Sequence, residues 1–299
     1  MNCKLTRAAG YLFAFFMLVS LSPNPCRAQQ NNTKDMASIN TEKREAAFPQ
    51  DIQRIIDRGY LSVGIYYKDK PPFIMTNGSG ELHGLDISLA RDIAKYLGVG
   101  VVFNREAKTY TELHEFATRG LSGNGKSIDV VISKFSRTYE RAKNVRFTQP
   151  YVTFRQAVIV NKVQVVKKRI EDYPIAYLAH YNVKIGVREK TSYVEYAQEL
   201  FKKAEIVEGK WEDLVTMVAK GEITAIMRDE YEIMKLIKKN PELAIKVSVY
   251  VLKDRKDHIA IAVPCDSLNL LAWLNIYLES RRSVLGASDL IELYPIAWE

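Results

Sequence analysis

Leu61-Ser-Val-Gly-Ile65 and Val183-Lys-Ile-Gly-Val187 are the two stretches on which the reading of this chain turns. Each is a short apolar run bounded by turn-forming or charged residues, the pattern of a buried strand. Each also opens the same series. After the first come a helix-periodic segment from Asp86 to Leu97, an apolar run at Val99–Phe103, a second helical stretch, and Ile128-Asp-Val-Val-Ile-Ser133. After the second come a helical stretch Thr191–Lys203, then Ala204–Val207, Trp211–Lys220 and Ile223-Thr-Ala-Ile-Met-Arg-Asp229. Two strand–helix–strand–helix–strand units predict an α/β chain whose halves face one another. In open parallel sheets ligands gather at the carboxyl ends of the strands, where helix amino ends also point. Two such units predict a cleft with two jaws.

The amino terminus carries a different signal. Lys4 and Arg7 precede an apolar run from Ala8 to Leu21, followed by Pro23, Pro25 and Cys26-Arg27-Ala28. A charged start, a short apolar core and a small residue at the cut describe a secretory signal peptide over residues 1–28, hence a periplasmic protein. The apolar run falls short of the ~20 residues of a membrane span. An uncleaved anchor is the rival reading. A lipidated Cys26 is rejected, because Ser22-Pro-Asn-Pro-Cys26 lacks the usual preceding residues. Of the three cysteines, Cys265 alone lies beyond the leader, so no internal disulfide forms and no zinc cluster exists. The four histidines are scattered without ligand spacing, so no metal is expected. The net charge of +8 falls by three once Lys4, Arg7 and Arg27 are removed. The remaining charges alternate in sign, and the basic run Val163–Arg169 has no stacking aromatics, which speaks against nucleic acid.

Residues 29–50 are polar and aperiodic and read as a flexible lead-in. Asp51–Arg58 predicts a short helix ending at Gly59, and Asn77-Gly-Ser-Gly80 a turn between paired strands. Asp86 is placed to cap a helix whose residues Ile87, Leu89, Ala90, Ile93, Ala94 and Leu97 share a face, with Gly98 as its stop. Tyr151–Lys162 and His258–Val263 read as strands, Ser267–Leu278 as a helix, and Ser288–Trp298 as a terminal segment. If the first strand leaves the opening lobe and the second returns, lobe 1 comprises 51–160 and 256–299, and lobe 2 is an insertion, 161–255. Two crossing strands form a hinge that permits closure on a ligand.

Gly120-Leu-Ser-Gly-Asn-Gly-Lys-Ser127 fits the phosphate-loop pattern letter for letter. That chemistry needs the loop after a strand and before a helix, so that helix amides cradle phosphates. Here a helical stretch precedes and a strand follows, so the segment is a Gly-rich connecting loop.

The binding candidates stand at strand ends. Ser133-Lys-Phe-Ser-Arg-Thr-Tyr-Glu-Arg141 offers the Ser136 and Thr138 hydroxyls and the planar fork of Arg141, suited to a carboxylate or to a surface ion pair. Thr191 and Ser192 open a helix after a strand, as an N-cap or as an anion site. Asp229 can cap the following helix or accept from an ammonium. Donors on one side with a carboxylate opposite suit a zwitterion such as an α-amino acid.

Gly84-Leu-Asp-Ile-Ser-Leu-Ala90, Asp129-Val-Val-Ile-Ser133, Arg137-Thr-Tyr-Glu-Arg141 and Val145-Arg-Phe-Thr-Gln-Pro-Tyr151 together are similar to motifs of the family 3 extracellular solute-binding proteins, polar amino-acid receptors of ABC importers. The likeness runs through nearly all of the chain after residue 50. It implies a type II periplasmic-binding fold of two α/β lobes joined by a two-strand hinge, with neither catalysis nor cofactor. It implies that Arg141 grips a ligand carboxylate with Ser136, Thr191 and Ser192, and that Asp229 holds an amino group. Tyr66 or Tyr67 would wall the side-chain pocket, with Tyr110 as a second wall. It also implies a small-molecule ligand, an amino acid or related carboxylate, a membrane ABC permease as partner, and a monomer. Three departures stand out: Tyr139 in the usual Pro position, and Lys134 and Lys190 where small residues are usual. If both lysines reach the cleft, an acidic ligand or dicarboxylate is favoured; since lysine is rarely buried unpaired, solvent is the other place for them. A dehydratase of cyclohexadienyl or arogenate substrates, built on the same fold, is the enzymatic alternative. It needs a cleft acid near the start of the lobe 2 helix, where this chain has Tyr193, with Glu195 further along. Ligand sensing for a membrane sensor is the third.

Overall fold

The computed structural model describes residues 48–119, 128–169, 174–281 and 284–298. The signal-peptide reading, most of the lead-in and the Gly120–Ser127 loop therefore lie outside the described residues.

Helix α1 (Gln50–Arg58) ends at Gly59, whose φ of +79° is the left-handed stop expected of it. Strand β1 (Tyr60–Gly64) follows, then the hairpin β2 (Met75–Thr76) and β3 (Leu82–His83) around Asn77. Asn77 Oδ1 accepts from the amides of Ser79 and Glu81, which closes the turn. Next come α2 (Leu85–Tyr96), β4 (Gly100–Asn104), α3 (Tyr110–Arg119) and a two-residue β5 (Val130–Val131). Strand β6 (Val145–Asn161) carries the chain onward to α4 (Lys162–Lys168) and α5 (Pro174–His180).

The second unit then repeats the first as β7 (Lys184–Arg188), α6 (Ser192–Leu200), β8 (Glu205–Gly209), α7 (Trp211–Lys220) and β9 (Ala225–Asp229). Helices α8 (Glu230–Lys239) and α9 (Leu243–Lys246) lead into β10 (Val247–Pro264), far longer than the predicted His258–Val263. Helices α10 (Leu268–Glu279), α11 (Ala287–Leu293) and α12 (Pro295–Trp298) finish the described chain.

One eight-stranded mixed sheet runs β4-β1-β5-β10-β6-β9-β7-β8. In each unit the first strand lies in the middle, parallel to the other two: β4-β1-β5 on one side and β8-β7-β9 on the other. The sequence repeat is thus a structural repeat. Strands β6 and β10 pair antiparallel from Val145↔Pro264 to Asn161↔Val247 and, among the described residues, are the only strands joining the two units in the sheet. One core packs β1, β5 and α2 with Ile65, Phe73, Ile87, Ile93 and Leu274. Two more cover the faces of β7 and β9, one with Val158, Ile185, Tyr193 and Met227, the other with Ile159, Leu214, Ile226 and Ile233. No helix among the described residues is long and apolar enough to cross a membrane.

Asp86 does not cap its helix, contrary to the sequence reading. The N-cap is Gly84, and Asp86 lies fully buried in the first turn, drawn in by partners from distant segments. Gly84 holds φ +114°, and a Cβ there would meet the Pro72 and Phe73 carbonyl oxygens at 2.6 Å. Only glycine fits this approach.

Candidate functional site

The loop after β5 is built by two buried side chains. Ser133 Oγ accepts from the Tyr66 amide at 2.8 Å, fixing the backbone that leaves β1. Asp86 accepts from the Lys134 amide at 2.7 Å and from the Tyr151 hydroxyl at 2.8 Å. Burial pushes the Asp86 carboxyl up to about 7, against the pull of those two bonds. The clamp holds Lys134 at φ +44°, a left-handed conformation uncommon outside glycine.

That conformation sends the Lys134 side chain inward. Its Nζ lies 3.2 Å from Asp229 Oδ2 and 2.8 Å from Glu232 Oε1, both in the opposite unit. The rings of Phe73, Phe154 and Tyr231 surround it at 5.3, 5.2 and 5.8 Å. Burial alone would lower the Lys134 pKa; the Asp229 and Glu232 charges overcome it and hold the ammonium above the ordinary lysine value. Glu232 is correspondingly held well below the usual carboxylate range, where burial alone would raise it, by Lys134 and then Arg228. Lys190, the other departure, is exposed. The two lysines expected to share a fate part company, and for Lys134 a solvent position is ruled out because it is buried with partners.

Arg141 opens a 3₁₀ turn (Arg141–Lys143). Its Nη1 donates to the Ser136 carbonyl at 2.8 Å, and its guanidinium lies 4.2 Å over the Phe135 ring. Its pKa is lowered by burial, and no carboxylate among the described residues pairs with it.

From the other unit, Thr191 occupies the N-cap of α6 but makes no capping bond; its Oγ1 donates to the Arg188 carbonyl at 2.7 Å. Ser192 Oγ donates across the cleft to Ser136 Oγ at 2.9 Å. Asp229 caps α8 as one of its two readings had it, Oδ1 accepting from the Glu232 amide at 3.0 Å, while Oδ2 faces the ammonium of Lys134.

Tyr110, Lys134, Ser136, Arg141, Thr191, Ser192 and Asp229 line one cavity of about 30 Å³ between the units. That is room for about one water, because side chains fill the cleft. Tyr66 and Tyr67 do not line it. Tyr66 stacks on Tyr110 with centroids 5.2 Å apart, and Tyr67 meets Tyr66 edge-on at 5.0 Å, so they form a wall behind. A larger cavity of about 710 Å³ lies elsewhere, between Leu85, Leu278 and Tyr294, and contains none of these groups. The convergent charges mark the smaller one as the candidate site.

Residues 61–189 match the model of the bacterial extracellular solute-binding proteins, family 3. Over those residues the chain resembles that family. Among curated relatives, the L-cystine-binding protein TcyJ of Escherichia coli is 28% identical over 201 residues, covering 65% of this chain and 68% of the relative. The ABC transporter arginine-binding protein 1 of Escherichia coli is 25% identical over 176 residues, covering 58% of this chain and 65% of the relative. Among solved structures, holo ArgBP from T. maritima superposes with a TM-score of 0.56 at 27% identity, over 81% of this chain and 98% of that one. An ancestral amino acid-binding protein, a precursor of cyclohexadienyl dehydratase, gives a TM-score of 0.59 at 26% identity, over 83% and 99%. The fold of the chain is thus the type II periplasmic-binding fold.

Lys70, Arg228 and Asp257 line the cavity and escaped the sequence reading, and Tyr193, read only as standing in place of a cleft acid, lines it too. Arg228 lies 3.9 Å from both Asp229 and Glu232, with Trp211 stacked at 4.9 Å. It precedes Asp229 in the one strand already singled out, which was the available signal. Asp257 accepts from Tyr196 at 3.2 Å and from Ser136, while burial and the nearby Asp229 push it up to about 6. Lys70 is brought down to about 7 by burial, then by Arg188. Arg188, beside the cavity, donates to the Tyr66 hydroxyl at 3.1 Å. Lys70 and Asp257 carried no pattern in sequence.

Proposed function

We propose that this protein is an extracytoplasmic receptor that captures a small amino acid or related carboxylate between its two lobes and delivers it to an ABC permease. The observation that carries the reading is the facing of Arg141 and Ser136 with Thr191 and Ser192 across a cleft spanned by the Ser192–Ser136 hydrogen bond. A guanidinium without a carboxylate partner, beside hydroxyls and a helix amino end, suits a ligand carboxylate. Tyr110 supplies aromatic surface for the remainder of the ligand, backed by Tyr66 stacked on it and by Tyr67 edge-on to Tyr66. Lobe 1 corresponds to residues 51–160 and 256–299 and lobe 2 to 161–255, with β6 and β10 as the hinge. The relatives support the class, being named as cystine- and arginine-binding proteins. Export through a cleaved signal peptide fits the family's extracellular station, and the monomer acts without metal or cofactor.

A thermal-shift screen with amino acids and carboxylates tests the reading. A ligand at 100 times its dissociation constant adds ~2.7 kcal/mol of stability. Silence across the whole screen, on folded protein, removes the receptor assignment.

Dehydratase activity is the second reading, prompted by the neighbour that is a precursor of cyclohexadienyl dehydratase. Glu195, the acid nearest the α6 start, accepts from the Glu140 amide at 3.4 Å and does not line the cavity. Prephenate and arogenate should therefore remain intact on incubation, as followed by chromatography.

A further inference from the structure

We infer that the ligand of this cleft is an organic acid without an ammonium group, a dicarboxylate or oxodicarboxylate, because Lys134 supplies the ammonium from within the protein. The inference rests on the receptor reading above and narrows its ligand.

Of the three acids around the cleft, Asp229 and Glu232 are already paired with a cation. Lys134 Nζ reaches both Asp229 and Glu232 at hydrogen-bonding distance, and Arg228 stands 3.9 Å from each. The lysine is held in place at both ends. Its amide is tied to Asp86, and its ammonium sits among the Phe73, Phe154 and Tyr231 rings. A second ammonium placed there would meet two cations and find no free carboxylate oxygen pair.

What the cleft leaves unneutralised is positive. Arg141 and Lys70 line the cavity, and Arg188 adjoins it; none has an ion-pair partner among the described residues. Asp257 is the remaining cleft acid, and it already accepts from Tyr196 and Ser136. Arg141 and Arg188, joined by Lys70 when it is protonated, surround one cleft in a low-dielectric setting and call for an anion of more than one charge.

The experiment is calorimetric titration of the whole mature protein with matched pairs that differ in the amino group: 2-oxoglutarate against L-glutamate, succinate against L-aspartate, and pyruvate against L-alanine, with L-arginine alongside. The amine-free member is expected to bind at least tenfold tighter in any pair that binds, both dianions tighter than pyruvate, and L-arginine not at all. An amino acid binding as tightly as its amine-free partner, or L-arginine binding best, overturns the inference and leaves the receptor reading standing. A blank across this panel and the wider screen removes both. In Lys134→Ala the acids are released, and the affinity ratio should shift at least tenfold toward the amine-bearing member. A fall of both members with the ratio unchanged would show Lys134 to be structural only and overturn its assigned role. Lys134→Met, which keeps the stem in the aromatic cage, serves if the alanine variant does not fold, and the wild-type pairs decide the ligand class without either.

Discussion

At the scale of single residues, Asp86 and Arg141 show how motif positions divide into those that hold the frame and those that line the cavity. Asp86 was legible as important but assigned the wrong work: it holds the Lys134 amide and the Tyr151 hydroxyl rather than its own helix. Asp86→Ala leaves two buried donors unmatched and should lower stability by about 3 kcal/mol, read as a drop in the urea midpoint at unchanged slope. Arg141, by contrast, spends one hydrogen bond on the Ser136 carbonyl and faces the cavity with the rest of its fork. Arg141→Met should weaken carboxylate binding by about 2 kcal/mol, roughly thirtyfold, with a small change in melting temperature. Calorimetry showing unchanged affinity would place the carboxylate elsewhere. Lys134 was visible as a departure, but its burial was not, since nothing local announces a left-handed lysine.

At the scale of elements, strands and helices were read with fair accuracy because their signals are local. The spacing of Ile87, Ala90, Ile93 and Ala94 marks the buried face of α2 without reference to anything else. Lengths were less legible. Strand β5 has two residues where Ile128–Ser133 was expected, and β10 has eighteen, extended by the alternating run Val247–Leu252 that the reading passed over and by the charged Lys253–Asp257. Its outer portion is strand because β6 lies alongside to pair with it. The start of α2 depends on one backbone contact. Gly84→Ala would force a Cβ against two carbonyl oxygens at a positive φ, so it should cost more than about 1 kcal/mol. Amide hydrogen exchange should then speed first in the opening turn of α2.

At the scale of the whole molecule, the cleft's charge sets its response to pH. Lys70, near 7, is a cation below that pH and neutral above it; its neighbours are Arg188, Arg228, Lys134 and Glu232. Asp257, near 6, is neutral below that pH and an anion above. Both changes remove positive charge as pH rises, so affinity for an anionic ligand should fall between pH 6 and 8. Lys70→Gln should flatten that profile while weakening binding at pH 6, as titrations at several pH values would show. The cross-cleft bridge has the opposite sensitivity. Glu232 is held ionised far below its ordinary range, so the Lys134 contact contributes stability above pH 4.5 and loses it only on stronger acidification.

The sequence by itself determined the repeat, the α/β class, and the strand ends at which binding groups gather, because hydrophobic period and turn chemistry act over a few neighbouring residues. The candidate grip of Arg141, Ser136, Thr191 and Ser192 was legible for the same reason: each stands in a loop, turn or helix start that follows a strand. Only the tertiary structure decided which charges are matched. Lys134 meets Asp229 and Glu232 across separations of 95 and 98 residues, and Ser192 meets Ser136 across 56. Such pairings depend on the distance between two units that β6 and β10 hold together, and desolvation in the closed cleft gives them their weight.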